Sequence, residues 1–158
     1  MADTYLSFII CDEYYSVNVT KVLEVLQKEK ITRVPNAPNY IKGIINFRGE
    51  IVPVFESRNK FNLPERPSDE AYVIIVLDLS TEEEIFRVGA IVDKVKDVIE
   101  IKTEDIKAVP TMSKEFNTKF LHGIFKLNDN FILLLDIDKV FTESEIEIIK
   151  DKSLVPEL

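Results

Sequence analysis

The stretch that decides the fold is GIINFRGEIVPVFE, residues 43–56, because the chain carries a second version of it, GIFKLNDNFILLLD, at residues 123–136. In both stretches, apolar runs flank a short polar segment, which is the pattern of a β-hairpin. The polar segments are RGE at residues 48–50 and NDN at residues 128–130, and such residues tolerate the positive φ of a tight turn. The two stretches therefore predict two copies of one hairpin.

Two further matches precede the hairpins in the same order. Residues 19–25, VTKVLEV, match residues 92–98, VDKVKDV, and KITRVP before the first hairpin matches DIKAVP before the second. The offset between the copies only grows along the chain, from 73 to 75 to 80 residues. Three matches in one order indicate an internal repeat, which bears on architecture before any single motif does.

Each copy also begins with two β-rich apolar runs, at residues 5–10 and 15–19 in the first copy and at residues 72–77 and 86–92 in the second. The pattern therefore predicts four or five strands in each half. So few strands do not form an open sheet with both faces covered, and closure into a small barrel is the simplest way to protect their edges. We expect an all-β fold of two small barrels.

The repeat also sets the expected domain boundaries. We expect a single domain over residues 5–148, with halves at residues 5–67 and 71–141, and the sequence leaves open whether strands are exchanged between the halves. The remaining segment, residues 142–158, begins with TESE, the spacing of a capping box. It predicts a short C-terminal helix and a tail.

Composition excludes several classes of function. The net charge of −8 argues against a nucleic-acid partner, since binding to phosphates depends on clustered Lys and Arg. No segment approaches the ~20 apolar residues of a membrane-spanning helix, so we expect no membrane insertion. A single cysteine forms no internal disulfide, which agrees with a reducing compartment. We expect a cytoplasmic protein.

Candidate catalytic or metal-binding residues are few. His122 is the only histidine and corresponds to Lys42 in the first copy, so we expect a turn or surface residue rather than a general base. Cys11 follows the first strand without a histidine near it in sequence. Asp136 and Asp138 have the spacing of two cation ligands, but a turn role is favoured because Asp136 corresponds to Glu56 in the repeat. We therefore expect no enzyme, cofactor or metal site.

Seven segments of the chain form an ordered series: LSF at 6–8, VNVTKVLEV at 17–25, RVP at 33–35, GIINFRG at 43–49, IVPV at 51–54, VGAIVD at 88–93 and LDID at 135–138. Together they resemble the CheW-like domain family of bacterial chemotaxis over about residues 5–141. The resemblance departs at Phe47, where the family usually has Leu, and at ESR, residues 56–58, where Asp-Leu-Arg is common.

The resemblance implies both a fold and a function. The fold would be two five-stranded SH3-like barrels joined by a hydrophobic core. The function would be that of a non-enzymatic adaptor, which couples the cytoplasmic tips of methyl-accepting chemoreceptors to the regulatory domain of the histidine kinase CheA. The receptor tip, a helical hairpin, would rest in a groove between the barrels, and the kinase would dock at a barrel end. Weak self-association is a further expectation, which the sequence does not locate.

The resemblance also implies particular residues at the receptor-binding groove, and their role stays open on the residues alone. The spacing of three between Val19, Val22 and Val25 would equally suit the core stripe of a short helical turn. The implied groove residues are Leu6, Val19, Val22, Val25 and Val95.

Two charged residues are expected to support the groove. Glu24 and Arg48 correspond to an acid and an arginine that pair across the first barrel in relatives. The alternative is an ordinary surface ion pair, which contributes about 0–1 kcal/mol. For the whole protein, the alternative function is a small-ligand-binding β-barrel, since barrels hold ligands in their mouths.

Overall fold

The computed structural model describes residues 1–110 and 119–150. Strands dominate this part of the chain because runs rich in β-branched and aromatic residues are separated by short segments of turn residues. The ten strands are β1 (Ala2–Ile10), β2 (Glu13–Asn18), β3 (Val22–Gln27), β4 (Ile41–Phe47), β5 (Glu50–Glu56), β6 (Val73–Ser80), β7 (Ile85–Val92), β8 (Lys94–Lys102), β9 (Leu121–Leu127) and β10 (Asn130–Leu135). The two helices are α1 (Ser57–Lys60) and α2 (Glu143–Lys150).

The strands form two five-stranded sheets. Sheet 1 has the order β3-β6-β7-β5-β4, and sheet 2 has the order β8-β1-β2-β10-β9. Each sheet surrounds a small core of its own, formed in sheet 1 around Val52 and Ile91 and in sheet 2 around Ile101 and Leu134. The all-β prediction with two five-stranded units and a C-terminal helix is confirmed.

Each sheet takes strands from both copies of the repeat. Sheet 1 combines β3, β4 and β5 of the first half with β6 and β7 of the second, and sheet 2 combines β1 and β2 with β8, β9 and β10. Two parallel ladders join the exchanged strands, β5 to β7 and β2 to β10. The halves at residues 5–67 and 71–141 therefore each span strands of both sheets.

The repeat is visible in the irregularities of the sheets. The β4–β5 hairpin has a bulge at Lys42, and the β9–β10 hairpin has one at His122. Equivalent isolated bridges, Thr32 to Ile44 and Lys107 to Ile124, fasten the segment before each hairpin. Because bulges are specific features of a fold rather than defects, their recurrence at equivalent positions confirms the internal repeat.

A third and larger core lies between the two sheets, and we call it the joint core. It contains buried residues of β1 and β2 from sheet 2 and of β6 and β7 from sheet 1. Helix α2 also packs on it through Ile149. Its buried members are Leu6, Phe8, Ile10, Tyr15, Val17, Phe55, Ile75, Leu77, Leu79, Val88, Ala90, Val92, Leu135, Ile137, Val140, Phe141 and Ile149.

Helix α2 begins at the predicted capping box. The Thr142 N–H donates to Glu145 Oε1 at 2.9 Å, and the Glu145 N–H donates to Thr142 Oγ1 at 3.2 Å. These reciprocal bonds satisfy backbone donors that a helix start leaves unpaired. The predicted tail after the helix, residues 151–158, lies outside the described residues.

Candidate partner-binding surface

Strand β3, at the edge of sheet 1, presents two valines on one face. Val22 lies opposite Leu77, and Val25 lies opposite Ile75. Directly opposed side chains share a face of a sheet, and both partners belong to the joint core, so the valines are on the joint-core face. Val22 is partly buried there, whereas Val25 is 37% exposed.

A β-bulge explains how residues three apart reach the same face. In a regular strand, residues three apart point to opposite faces, because side chains alternate. The β3–β6 register shifts between Val22 and Glu24, which inserts one extra residue and restores Val25 to the face of Val22. Val19 precedes the strand in a 3-10 turn, Val19–Lys21. The reading of all three valines as a helical stripe is therefore wrong, since only Val19 lies in a helical segment.

Strand β8, at the edge of sheet 2, repeats this arrangement. Val95 lies opposite Phe8, and Val98 lies opposite Leu6, with a register shift between the two pairs. Phe8 and Leu6 also belong to the joint core, so Val95 and Val98 share its face. Val98 is 64% exposed, which the sequence analysis did not single out, although the repeat aligns it with Val25.

Four of the five groove residues expected from sequence lie around the joint core. Leu6 is a buried member of that core, and Val19, Val22 and Val95 pack against it while remaining partly exposed. Val25 is further along β3 and more open to solvent. We call the joint-core face of β3 and β8, with Val19, the valine surface.

Glu24 and Arg48 form the expected ion pair at the rim of sheet 1. Arg48 Nη2 lies 3.3 Å from Glu24 Oε1, and the two side chains are 60% and 43% exposed. The Arg48 guanidinium also lies 4.7 Å from the centre of the Phe47 ring. A pair this exposed is weakened by solvent screening, so its contribution to stability is at most about 1 kcal/mol.

A buried ionic network, which the sequence analysis missed, fixes the connector between β5 and β6. Asp93 is its centre: Oδ2 lies 2.7 Å from Arg58 Nη2, and Oδ1 lies 2.8 Å from Arg66 Nη2. Arg66 also binds Glu56 through two hydrogen bonds of 3.1 Å. The Cys11 N–H donates to Asp93 Oδ2 at 3.0 Å. The network therefore joins three separate parts of the chain.

The network sets the charge state of Asp93. Burial by itself would raise the pKa of the Asp93 carboxyl, but the hydrogen bonds from Arg58 and the Cys11 N–H, together with Arg66, outweigh it. The pKa of Asp93 is therefore lowered from its ordinary value. Burial raises the pKa of the Cys11 thiol, which opposes formation of the reactive thiolate.

A second ion pair occupies the equivalent junction with its charges exchanged. Lys21 Nζ lies 2.8 Å from Asp138 Oδ2, and the Ser80 N–H donates to Asp138 Oδ1 at 2.7 Å. The repeat aligns Asp138 with Arg58, so the acid stands here where the other junction has the base. Asp136 lies 3.6 Å from Lys139. The two acids at 136 and 138 are thus each paired with a lysine.

A cavity between the sheets bears on the small-ligand alternative. It lies in the joint core between Phe8, Phe61 and Leu135, and its volume is about 10 Å³. That is roughly one water-sized sphere, whereas pockets for small molecules have ~300 Å³ or more. The cavity does not favour the small-ligand alternative.

Within residues 1–110 and 119–150, no helix has the length and hydrophobicity needed to cross a bilayer.

Known proteins resemble this chain over most of its length. The chemotaxis protein CheW of Klebsiella aerogenes is 33% identical over 92% of this chain and 85% of its own length. CheW of Bacillus subtilis is 32% identical over 84% of this chain and 83% of its own length. The crystal structure of the scaffolding protein TtCheW from Thermoanaerobacter tengcongensis superposes with a TM-score of 0.78 at 30% identity, covering 89% of this chain and 93% of that one.

The family-level comparison agrees with the architecture. A sequence model described as the CheW-like domain matches residues 4–145, which include β2 to β10, all but the first two residues of β1, and the beginning of α2. Two five-stranded units, an internal repeat and relatives matched along most of their own length leave one assignment: the chain belongs to the CheW-like domain family.

Proposed function

We propose that this chain is a non-enzymatic chemotaxis adaptor, which couples the cytoplasmic tips of methyl-accepting chemoreceptors to the histidine kinase CheA in the cytoplasm. Relatives of similar length are named as chemotaxis and scaffolding proteins, and this supports a scaffold rather than a catalyst. On this proposal, residues 5–148 act as one domain. Its two halves, residues 5–67 and 71–141, are held together by the joint core.

The observation that carries the proposal is the valine surface. Two edge strands each present valines on the joint-core face, and Val25 is among the exposed large apolar side chains of the described chain. Apolar side chains in a row are the contacts that a helix-in-groove complex buries. We assign receptor contact to the expected residues Val19, Val22, Val25 and Val95. Leu6 supports them from within the joint core, and Glu24 and Arg48 support them at the rim.

Leu6 has a distinct part in this assignment. Only 7% of its surface is exposed, and it lies opposite Val98 within the joint core. Its contribution is therefore to hold the valine surface in shape from below, because a side chain so buried offers little area to a partner.

A mixing experiment tests the proposal. The purified chain is combined with a receptor-tip fragment, and separately with the regulatory domain of a CheA kinase, each at ~100 μM, well above the dissociation constants of weak specific complexes. We expect light scattering to detect a binary complex in each mixture. The Val25→Asp variant tests whether the valine surface is the receptor site. It should weaken the receptor complex and leave the kinase complex unchanged.

The outcomes separate the two partners. Failure of the wild-type chain to form either complex would end the proposal. Binding of the kinase domain alone would remove the receptor from it.

A further inference from the structure

The two halves of this chain, residues 5–67 and 71–141, each lack a complete sheet of their own. Of the eight ladders that the described strands form, four join the first half to the second: β1 to β8, β2 to β10, β3 to β6 and β5 to β7. Within one half, the strands pair only as two hairpins, β1–β2 and β4–β5 in the first and β6–β7 and β9–β10 in the second. Because an isolated hairpin is marginally stable at best in water, each half needs the other in order to fold.

Ion pairs at the interface between the halves favour an unlike partner. Lys21 of the first half binds Asp138 of the second at 2.8 Å, and Arg58 of the first half binds Asp93 of the second at 2.7 Å. The first half therefore supplies a cation to both pairs, and the second half supplies an acid to both. An interface with this polarity favours a second half over another first half.

Two aromatic contacts also cross between the halves. The ring centres of Phe61 and Phe120 lie 5.1 Å apart, and those of Tyr40 and Phe141 lie 5.9 Å apart. The repeat aligns Phe61 with Phe141 and Tyr40 with Phe120, so the two contacts are equivalent. The same packing therefore recurs wherever a first half meets a second half.

The covalent link between the halves contributes little to their interface. Residues 67–71 are exposed and contain no strand. The chain is anchored just before them, because the Arg66 side chain is only 7% exposed and lies 2.8 Å from Asp93. Within the link, Glu70 lies 3.2 Å from Arg58 and is 41% exposed. The link therefore keeps the halves of one chain close together and determines little of how they pair.

We propose that the interface between the halves also accepts the second half of another copy of this chain, which gives a dimer with reciprocally exchanged halves. The exchange keeps the four ladders and both ion pairs and changes only the course of the link. Five link residues extend to ~17 Å, so the two units of the dimer lie side by side. Each unit has its own joint core and valine surface, and the dimer is a bivalent form of the protein. This inference does not rest on the proposed function.

The link also sets the protein concentration at which exchange competes with folding of a single chain. A short flexible link holds its ends at an effective concentration of ~1 mM, so more dilute chains pair their own two halves. A dimer formed near that concentration persists after dilution, because its halves separate only when a unit unfolds. Contacts between the surfaces of folded copies require no such unfolding.

Two charge variants, Lys21→Asp and Asp138→Lys, test the exchange. Either variant alone brings like charges together at this junction, whereas exchange between the two variants gives one unit with the ion pair reversed and one with the wild-type pair. The variants carry different affinity tags, are unfolded together in urea at ~1 mM, refolded, diluted and analysed by affinity capture and light scattering. We expect at least about tenfold more dimer in the mixture than in either variant alone, because both units regain an ion pair.

The matched control combines Asp136→Lys with Lys139→Asp. These residues form an ion pair of 3.6 Å within the second half, so exchange of halves does not restore it. We expect no more dimer in this mixture than in either control variant alone. Equal gains in the two mixtures would overturn the inference. A gain that appears equally when the folded variants are mixed without urea would indicate surface contacts and would overturn it as well.

The wild-type chain protects the test against variants that do not refold. Two differently tagged wild-type preparations, refolded together, should give a mixed dimer whose share rises between ~10 μM and ~1 mM. Monomers alone at the higher concentration would overturn the inference.

Cleavage of the link tests whether the interface is sufficient without it. A protease site replaces residues 68–70, and the folded chain is cut there. We expect the two halves to stay together in native buffer and to separate in urea, as measured by size-exclusion chromatography. Separation of the halves without denaturant would contradict the inference.

Discussion

The Asp93 carboxylate binds groups from two other segments of the chain: the side chains of Arg58 and Arg66, and the backbone N–H of Cys11. It follows β7 directly, where the chain leaves sheet 1 for sheet 2, and its backbone N–H donates to the Ile9 carbonyl at 2.9 Å. Its carboxylate meets two arginine side chains that are more than nine-tenths buried. Removing the acid would leave these cations without their common partner, which is the costly way to break a buried ion pair.

Asp93→Asn should therefore be strongly destabilising. We expect the free energy of unfolding to fall by about 3–5 kcal/mol, because the amide keeps the shape of the side chain but loses the charge that both arginines bind. Urea denaturation at neutral pH measures the loss. The matched control is Asp97→Asn, an exposed acid on β8, which should change stability by less than about 0.5 kcal/mol. Equal effects at the two positions would contradict the role of the network.

The same carboxylate gives the stability a definite dependence on pH. Because the pKa of Asp93 is lowered in the folded protein, its contribution is fully present above the unfolded value of about 3.9. It is lost as the pH falls through the lower, folded pKa. The stability difference between wild type and Asp93→Asn should stay constant from pH 7 to about 5 and shrink below pH 4. A difference that grows on acidification would have the wrong sign.

Arg48 illustrates the opposite case, an exposed charge whose effect should lie in binding. Its pair with Glu24 is largely solvated, so we expect Arg48→Ala to lower the free energy of unfolding by no more than about 1 kcal/mol. We also expect weaker binding of the receptor-tip fragment, because Glu24 directly precedes Val25 on β3 and the pair holds that part of the strand. Calorimetry and thermal melts on one preparation compare the two effects. A melting temperature reduced as severely as the affinity would count against the assignment.

At single residues, the family resemblance predicted one exposed ion pair, and the sequence did not predict the buried network. The Glu24–Arg48 pair was expected from the resemblance, and it is present. The pairing of Arg66 with Asp93 was not expected, because nothing in the composition of either segment marks a partner in the other. The departure at residues 56–58 was the one available signal, since Glu56 and Arg58 both belong to the network.

Among the elements, α2 depends on its first residues for its start. Thr142→Ala removes the hydroxyl that accepts from the Glu145 N–H, and we expect a loss of about 1 kcal/mol. Glu147→Ala is the matched control, because Glu147 is exposed in the middle of the same helix and should be close to neutral. Urea denaturation measures both. If the two variants are equally stable, the capping box contributes nothing.

Most elements follow from short-range patterns, and the exceptions have a physical cause. The hairpins were predicted because their turns contain residues suited to positive φ, and Arg48, Gly49 and Asn128 have φ values of 52°, 81° and 56°. The valines spaced by three were ambiguous, because a helix and a bulged strand both bring such residues to one face. Only the partner strand decides between them, and a single sequence does not show the partner.

For the whole molecule, the two junction ion pairs have opposite polarity, and each joins one copy of the repeat to the other. Arg58 of the first copy binds Asp93 of the second, and Asp138 of the second copy binds Lys21 of the first. The repeat aligns Asp93 with Thr20, so pairing two first copies in the same way would place Arg58 against Thr20 and its neighbour Lys21. Pairing two second copies would place Asp138 against Asp93, which are both acids. The polarity therefore favours pairing of unlike halves and disfavours pairing of like halves.

Reversing one charge should disturb this preference, and exchanging the pair should restore part of it. We expect Lys21→Asp to lower the free energy of unfolding by about 1.5–3 kcal/mol, since it replaces a hydrogen-bonded ion pair by two acids. Adding Asp138→Lys should recover part of the loss but not the acceptor for the Ser80 N–H. Lys139→Asp, an equal charge change at an exposed neighbour, should have little effect. A double variant no more stable than Lys21→Asp would contradict the pairing.

The exchange of strands between the sheets was the part of the fold that sequence reasoning left open. Two self-contained barrels and two exchanged ones use the same strands, the same turns and the same buried faces. The parallel ladders that decide between them, Val54 to Gly89 and Leu134 to Ser16, join residues far apart in sequence. Local patterns therefore predict the repeat but do not settle which copies of its strands pair.

The exchanged topology also determines which strands wait for their partners while the chain is being synthesised. The β1–β2 hairpin is synthesised before the other described strands, yet it lies within sheet 2 between β8 and β10, which emerge about 90 and 120 residues later. Sheet 1 has all its strands once β7 has been translated. The earliest hairpin therefore waits longest with both of its outer edges unpaired, and that interval is when a nascent chain is most exposed to aggregation.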